Sequence, residues 1–393
     1  MLTGENIVCF AKDWTEDPTS NNYVMRMLAR QNRVLWLNSI GARTPNLSNG
    51  SDVRKIARKL RVFFDGAHEV EPNLSVFTPL VLPLPHSAAA QAVNRAILGQ
   101  TVRTLRRRLH MEERIQVWTF LPTAVRYLDA LTDTPGEKPL VVYFITDEWS
   151  QFSNVDGQRI AEMEEELCRR ADIVFAASRT LVETKKIWNP ETHLASHGVD
   201  HAHFASAFSD DVAVSPEMAR LPGPIVGFFG LVQDWIDLDI VAHLAEQRPD
   251  WSIAMIGKVQ VDRSRLDRYK NIHWLGRQPY ASLPSHCKAW SVGIMPFAQN
   301  ELTRNVNPIK MREYLSAGLP VVSSDIPEVR HYPDLCHVAR DRDEFLALCD
   351  QAIAEDSPAK RRARSDAMAG ETWEKKVEAM GDHVRRVARA RAH

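Results

Sequence analysis

Lys310 and Glu313 are three residues apart in a segment that can begin a helix. Asn307 is a residue type that caps helix N-termini, Pro308 suits the first helical position, and Gly318 suits the end. The free N–H groups of such a helix start favour an anion, and residues three apart share one face. We expect Lys310 to bind a diphosphate and Glu313 to accept hydrogen bonds from two ribose hydroxyls. The same spacing also fits an exposed ion pair on an ordinary helix, and the spacing alone leaves both interpretations open.

Short apolar runs rich in Val, Ile, Phe and Trp alternate with helical patterns along most of the chain. This alternation predicts α/β structure with parallel sheets covered on both faces. The predicted strands are 6–10, 34–38, 74–78, 115–119, 140–145, 173–177, 225–230, 251–257, 272–275, 292–296 and 320–323. The predicted helices between them include 21–30, 88–109, 158–170 and 237–246.

Residues 202–224 have no clear period and are rich in Ser, Asp, Pro and Gly, which predicts a linker. We expect an N-terminal Rossmann-like domain over 1–205, a linker over 206–224, a C-terminal Rossmann-like domain over 225–358 and a basic helical segment over 359–393. Ligands of open parallel sheets bind beyond the carboxyl ends of the strands. Two such domains facing each other would therefore hold their chemistry in a cleft.

Composition excludes several classes of protein. The net charge of −1 over 393 residues gives no global attraction to nucleic acid. The five cysteines form no Cys-x-x-Cys pair or zinc-spaced cluster, so we expect no metal site and a reducing compartment. The apolar run 7–11 is too short for a signal peptide, and the run 74–85 contains three prolines. We expect a cytoplasmic protein that can lie at the inner face of the membrane.

Residues 297–328 resemble the donor-site signature of glycosyltransferase family 4, which has the GT-B fold. Weaker resemblance covers most of the rest of the chain, at 142–149, 171–178, 197–200, 226–230, 251–257 and 274–277. The resemblance implies transfer of a sugar from a nucleotide-diphosphate sugar, with retention of anomeric configuration and no fixed metal or other cofactor. The chain looks closest to family members that build bacterial surface polysaccharides, which implies a glycan or lipid-linked acceptor.

The resemblance also implies roles for individual residues. Glu313 matches the second glutamate of the family's paired-glutamate motif, the ribose ligand, and Asn305 stands where the first would fall. The loop 231–235 lacks the cations that relatives use for the diphosphate, so we assign that role to Arg304, Lys310 and the helix amides. Gly276 and Arg277 match the loop whose backbone contacts the nucleobase. The predicted donor-binding residues are Gly230, Gly276, Arg277, Arg304, Asn305, Asn307, Lys310 and Glu313.

Asp147 and Glu148 follow the predicted strand 140–145 and could reach the cleft. We predict that Asp147 is a catalytic base, with Lys310 as the second catalytic residue, and that Glu148, Trp14 and Trp149 contact the acceptor. The alternatives are a helix-capping aspartate with a solvated neighbour, and tryptophans that only pack. We expect His197 to be structural. For Asp237 and Asp239, helix capping explains the Asp-Leu-Asp pattern better than a metal site.

Residues 52–64 carry five cations and one acid, with apolar residues at helical spacing. This pattern is typical of a helix on an anionic bilayer, and equally of an amphipathic helix with a solvated basic face. A second basic cluster is Arg103, Arg106, Arg107 and Arg108. The alternatives for function are a catalytically silent GT-B nucleotide-binding regulatory subunit and a GT-B sugar-nucleotide epimerase or hydrolase.

Overall fold

The computed structural model describes residues 1–39, 63, 66–82, 87–131, 138–153 and 155–392. The chain divides into two compact units, Met1–Ser196 with Lys376–His393, and His197–Lys375. Each unit has its own largely parallel sheet and its own buried apolar core. The predicted α/β class is confirmed.

The first unit contains an eight-stranded sheet of order β3-β4-β2-β1-β5-β6-β7-β8. Among the described strand pairs of this sheet, β3–β4 is the antiparallel one. The strands are β1 (Asn6–Phe10), β2 (Arg33–Leu37), β3 (His68–Glu71), β4 (Leu74–Phe77), β5 (Ile115–Thr119), β6 (Leu140–Ile145), β7 (Ile173–Ala176) and β8 (Thr192–Leu194). The helices are α1 (Ser20–Ala29), α2 (Ala88–Arg108), α3 (Gly157–Arg170) and α4 (Arg179–Lys185), with 3-10 segments at Pro122–Leu131 and Trp149–Gln151.

The second unit contains a six-stranded parallel sheet of order β11-β10-β9-β12-β13-β14. Its strands are β9 (Ile225–Phe229), β10 (Ser252–Ile256), β11 (Ile272–Gly276), β12 (Val292–Met295), β13 (Val321–Ser324) and β14 (Cys336–Ala339). Its helices are α5 (His201–Ala205), α6 (Leu238–Gln247), α7 (Leu283–Cys287), α8 (Glu301–Arg304), α9 (Ile309–Ser316), α10 (Arg342–Ala354) and α11 (Pro358–Met368). The strand order reverses between β9 and β12, and this switch point is where sheets of this kind bind ligands.

The compact units divide the chain differently from the predicted domains. The boundary falls between Ser196 and His197, and residues 202–224 pack on the second unit rather than forming a linker. Apolar anchors explain the difference: Phe204 stacks on Phe229 with ring centroids 5.8 Å apart, and Met218 is buried in the same core. The residues between these two anchors are mostly polar, so the segment has no apolar periodicity that would predict its packing.

The basic C-terminal segment is helical, as predicted, but it forms two helices. Ser365 of α11 donates a hydrogen bond to the carbonyl oxygen of Ser316 in the second unit, at 2.7 Å. The last helix, α12 (Trp373–Ala392), begins in the second unit and continues in the first. There Arg386 pairs with Glu191 at 2.6 Å, so part of the basic charge of this segment serves to attach the helix.

Of the two basic segments considered for membrane contact, the structure describes mainly the second. Residues 52–64 lie outside the described residues, apart from Phe63, which packs against Phe77 with ring centroids 5.7 Å apart. In the second basic cluster, Arg106 is buried and donates to the carbonyl oxygens of Met111 and Glu113 at 3.1 and 3.0 Å, so it is not a surface cation. In the described part of the chain, no helix combines the length and the apolar character needed to cross a membrane.

Candidate active site

The start of helix α9 differs from the prediction in one respect. Pro308 is the N-cap residue, with φ −75° and ψ 111°, and it has no side-chain acceptor for the first-turn N–H groups. The predicted cap residue Asn307 is buried and accepts a hydrogen bond from Nη1 of Arg312 at 2.6 Å. The prediction of an Asn307 cap is wrong because the buried guanidinium holds that side chain. Gly318, at φ +80°, follows the end of α9 as expected.

Lys310 and Glu313 lie on α9, and their surroundings exclude an exposed ion pair. Glu313 is only 7% exposed, and burial raises its pKa to about 7 although the charge of Lys310 acts in the opposite direction. The Lys310 stem lies against Gly230, at the carboxyl end of β9, so that a Cβ atom on Gly230 would stand 2.1 Å from Cε of Lys310. The structure therefore brings the cation of Lys310 to the carboxyl end of β9 and buries the carboxyl group of Glu313 on the same helix.

Three glycines lie at the carboxyl ends of β9, β10 and β11. Gly230 has φ +145° and Gly257 has φ +138°, and a Cβ atom on Gly257 would lie 1.9 Å from the carbonyl oxygen of Gly230. The amide of Gly257 donates to the carbonyl oxygen of Gly276 at 2.8 Å. A Cβ atom on Gly276 would meet nothing within 4 Å. This edge therefore exposes backbone that a ligand can approach closely. The sequence prediction omitted Gly257, although a glycine directly after a strand is a signal for such a site.

Helix α8 separates β12 from α9, and two further predicted donor ligands lie at its end, Arg304 as its last residue and Asn305 as its C-cap. Arg304 is exposed and pairs with Glu301 at 3.4 Å, and Asn305 is buried with its Nδ2 donating to the carbonyl oxygen of Glu301 at 2.8 Å. Arg277 is exposed beside Gly276. The side-chain contacts of Arg304 and Asn305 are thus within α8, and their roles in binding a donor stay predictions.

Arg312 organises the buried side of α9. It is 1% exposed, and besides Asn307 it bonds the hydroxyl of Tyr332 at 2.9 Å and pairs with Glu371 at 3.4 Å. Burial, with a smaller effect of the Arg312 charge, lowers the pKa of His197 to about 3. A buried neutral imidazole fits the structural role expected of His197. At α6, Asp237 caps the helix by accepting from the amide of Asp239 at 2.8 Å, as predicted.

In the first unit, the predicted acceptor loop follows β6. Asp147 is half-buried in this loop. Glu148 accepts from Nζ of Lys185 and from the hydroxyl of Ser150, both at 2.7 Å, so it is not the solvated neighbour of the capping alternative, and its contact with an acceptor stays a prediction. Lys185 also pairs with the fully buried Glu164 at 2.7 Å. Burial lowers the pKa of Lys185, but the charges of Glu164 and Glu148 outweigh it and the net direction is upward. Glu148 is thereby part of an internal ion-pair network.

The two predicted acceptor tryptophans both pack within the first unit. Trp149 contacts the ring of Phe152, with centroids 5.6 Å apart, and lies against the core. Trp14 meets Trp36 edge to face at 5.0 Å, and the guanidinium of Arg26 lies 5.1 Å from its ring centroid. These contacts favour the packing alternative. Contact of either ring with an acceptor stays a prediction.

The second unit matches a known protein family. Residues 223–355 match the family described as Glycosyl transferases group 1. Over 242 residues the chain is 25% identical to a putative teichuronic acid biosynthesis glycosyltransferase, TuaH, of Bacillus subtilis. That match covers 55% of this chain, and this chain spans 59% of the length of that relative.

Solved structures resemble the whole chain at low identity. Sucrose-phosphate synthase from Thermosynechococcus elongatus is 14% identical, with a TM-score of 0.69 covering 98% of this chain and 100% of that one. Trehalose 6-phosphate synthase from Burkholderia multivorans is 14% identical, with a TM-score of 0.68 over 99% and 100%. HepE of Anabaena in complex with UDP-glucose is 14% identical, with a TM-score of 0.64 over 98% and 99%. The chain has the GT-B fold, and its residues 223–355 match the glycosyl transferases group 1 family.

Proposed function

We propose that this protein transfers a sugar from a nucleotide-diphosphate sugar to a glycan or lipid-linked acceptor in cell-surface polysaccharide biosynthesis. The observation that carries the proposal is the placement of Lys310 and the buried Glu313 on α9 beside Gly230, at the switch point of the second sheet. The name of TuaH, a teichuronic acid biosynthesis glycosyltransferase, supports the pathway. The UDP and UDP-glucose complexes of HepE support the donor class.

In this proposal the candidate donor-site residues of the second unit each have a chemical task. The ammonium of Lys310 and the first-turn amides of α9 stabilise the charge that develops on the departing diphosphate. The carboxylate of Glu313 accepts hydrogen bonds from two ribose hydroxyls, which favours its ionised form and lowers its pKa on binding. The exposed backbone at Gly276 and the adjacent Arg277 face the nucleobase. The nucleotide sugar is a co-substrate, and we propose no metal or other cofactor.

The first unit would supply the acceptor side of the reaction. Asp147 receives the proton of the attacking hydroxyl, since a half-buried carboxylate in a loop after a strand end can act as a general base. The Lys185–Glu148 ion pair anchors the next residue of that loop. We propose retention of anomeric configuration on the basis of the family resemblance, and NMR of the product's anomeric proton tests it.

The activity is tested by incubating the full chain with a panel of radiolabelled nucleotide sugars and a bacterial membrane extract. Label in a lipid or glycan fraction that is lost in Glu313→Ala supports the proposal. Free sugar or an isomerised nucleotide sugar would instead indicate a hydrolase or epimerase. Nucleotide binding without any turnover would favour a silent regulatory subunit, for which the cation-free loop 231–235 is the sequence argument.

We further propose that the protein acts at the cytoplasmic face of the membrane through residues 52–64. The net excess of cations in that segment favours an anionic leaflet, at about 1 kcal/mol for each basic side chain near the surface. The chain should sediment with anionic vesicles but not with neutral ones, and high salt should release it. Replacing Arg54, Lys55, Arg58 and Lys59 with Gln should abolish sedimentation. Wild-type protein that stays in solution with anionic vesicles at low salt would indicate a soluble acceptor.

A further inference from the structure

A surface pocket of the first unit is lined by none of the loop residues described above. It is formed by α2, the 3-10 segment Pro122–Leu131 and α3, and its volume is about 650 Å³. Four arginines and three carboxylates line it, so the charged side chains of its wall carry a net positive charge. The arginines are Arg95, Arg126, Arg159 and Arg170.

Two of the three carboxylates are committed to one arginine. Arg170 pairs with Asp129 at 2.6 Å and with Glu166 at 3.3 Å, and it also donates to the carbonyl oxygen of Val125. The third carboxylate, Glu162, is exposed and accepts a hydrogen bond from Gln158 at 3.1 Å. None of these ion pairs or hydrogen bonds of the three carboxylates involves Arg126.

Arg126 is the arginine whose environment points to a ligand. It is half-buried, and within the described part of the chain it makes no ion pair. Burial and then the charge of Arg159 lower the pKa of its guanidinium, with weaker opposing effects of Tyr127 and Glu166. Partly buried cations are ordinarily paired, and two neighbouring guanidiniums repel each other. An anion in the pocket would relieve both costs.

We propose that this pocket binds a phosphate group, with Arg126 and Arg159 as its main ligands and Arg95 at the rim. The planar guanidinium donates two parallel hydrogen bonds to an oxyanion, which makes paired arginines suited to phosphate. The same chemistry could come from a soluble phosphomonoester or from a phosphate headgroup of a lipid. The pocket lies wholly in the first unit, so the site is separate from the diphosphate site proposed on α9.

The first test is calorimetric titration of inorganic phosphate at low ionic strength into the full chain carrying Lys310→Ala, which weakens the separate diphosphate site. We expect saturable binding. Adding Arg126→Gln should weaken it by about tenfold or more, the lower end of the range for charge-assisted hydrogen bonds. Arg126→Lys should restore part of the affinity, because it keeps the charge but not the two-pronged geometry. Arg169→Gln is the control, since Arg169 is an exposed α3 residue paired with Glu165 at 2.8 Å and does not line the pocket.

Thermal unfolding separates a binding role from a structural one. In phosphate-free buffer, Arg126→Gln should raise the unfolding midpoint, because it removes a cation from a like-charged, half-buried position. In the Lys310→Ala background, the same substitution should abolish the further rise in the unfolding midpoint that phosphate gives. An arginine with a purely structural role would show a lower midpoint in the variant. No phosphate binding, or equal binding by Arg126→Gln and the wild type, would overturn the proposal.

Two further titrations identify the source of the phosphate. Glycerol 3-phosphate tests a soluble monoester, and vesicles containing phosphatidic acid test a lipid headgroup. Binding of either that depends on Arg126 supports the site and assigns its source.

Discussion

Replacing Glu313 with Gln should make the protein more stable at neutral and alkaline pH and should weaken its affinity for a nucleotide-sugar donor. Burial raises the pKa of Glu313 from 4.5 to about 7 in the folded state. Between those two pH values the folded chain holds a proton that the unfolded chain has released, so the free energy of unfolding falls as pH rises through this window. A shift of about 2.5 pKa units corresponds to about 3 kcal/mol.

The glutamine variant keeps the shape of the side chain but cannot ionise, so it avoids the free-energy cost of a buried carboxylate. At pH 8 we expect Glu313→Gln to exceed the wild type in free energy of unfolding by as much as about 3 kcal/mol, and at pH 4.5 we expect the two to agree closely. Urea unfolding is carried out at both pH values and monitored by hydrogen exchange of β9 peptides, which reports on the second unit. A difference that is the same at both pH values, or a variant less stable at pH 8, would refute the reasoning.

The same variant should bind a nucleoside diphosphate less tightly at pH 8, by about 1.5–3 kcal/mol, the range for hydrogen bonds to charged groups. In the wild type that affinity should fall as pH drops below about 7, because the protonated carboxyl accepts hydrogen bonds poorly. Calorimetry at pH 6 and pH 8 measures both effects. A carboxyl group that only packs would change stability without changing nucleotide affinity.

Three further substitutions test separate parts of the site. Lys310→Ala should weaken binding of a nucleoside diphosphate by about tenfold or more and leave nucleoside binding unchanged, and equal losses for the two ligands in calorimetry would remove Lys310 from the phosphates. Asp147→Asn should lower turnover by about 10²–10⁴ while donor affinity persists, whereas near-normal turnover would exclude Asp147 as the base. Gly230→Ala should lower the free energy of unfolding by about 1–3 kcal/mol, because φ is +145° and the new Cβ atom would displace the Lys310 stem. A variant with wild-type stability and diphosphate affinity would show that this close approach is unimportant.

The central strands could be predicted from the sequence because a parallel strand buried on both faces appears as a continuous apolar run. The strands β1, β5 and β6 have their predicted limits. The prediction missed β3, β8 and β14, each of which is an edge strand of its sheet. Edge strands are short and partly polar, as in the His-Glu-Val-Glu sequence of β3, so no apolar run marks them.

The candidate site was predictable only where local spacing determines it. Lys310 and Glu313 share a helix, so their separation in the sequence places them on one face. The role of Asn307 depends instead on Arg312, whose orientation is set by Tyr332 and Glu371. Likewise, the close approach of Gly257 to Gly230 joins two strands that pair only in the folded sheet. Such contacts between distant residues leave no local pattern.

The buried carboxyl groups of the two units differ in what surrounds them, and this difference separates a structural acid from a binding one. Glu164 is fully buried, and burial raises its pKa, but Lys185 and the hydroxyl of Tyr143 donate hydrogen bonds to it at 2.7 and 2.6 Å. For Glu313 the influences on the pKa are burial and the charge of Lys310, and no residue in the described part of the chain donates a hydrogen bond to its carboxyl group. A buried carboxylate gains most from hydrogen-bond donors when the protein itself supplies few. Two ribose hydroxyls are donors of the kind that Tyr143 provides to Glu164, and for this reason we propose that the ribose of the donor binds at Glu313.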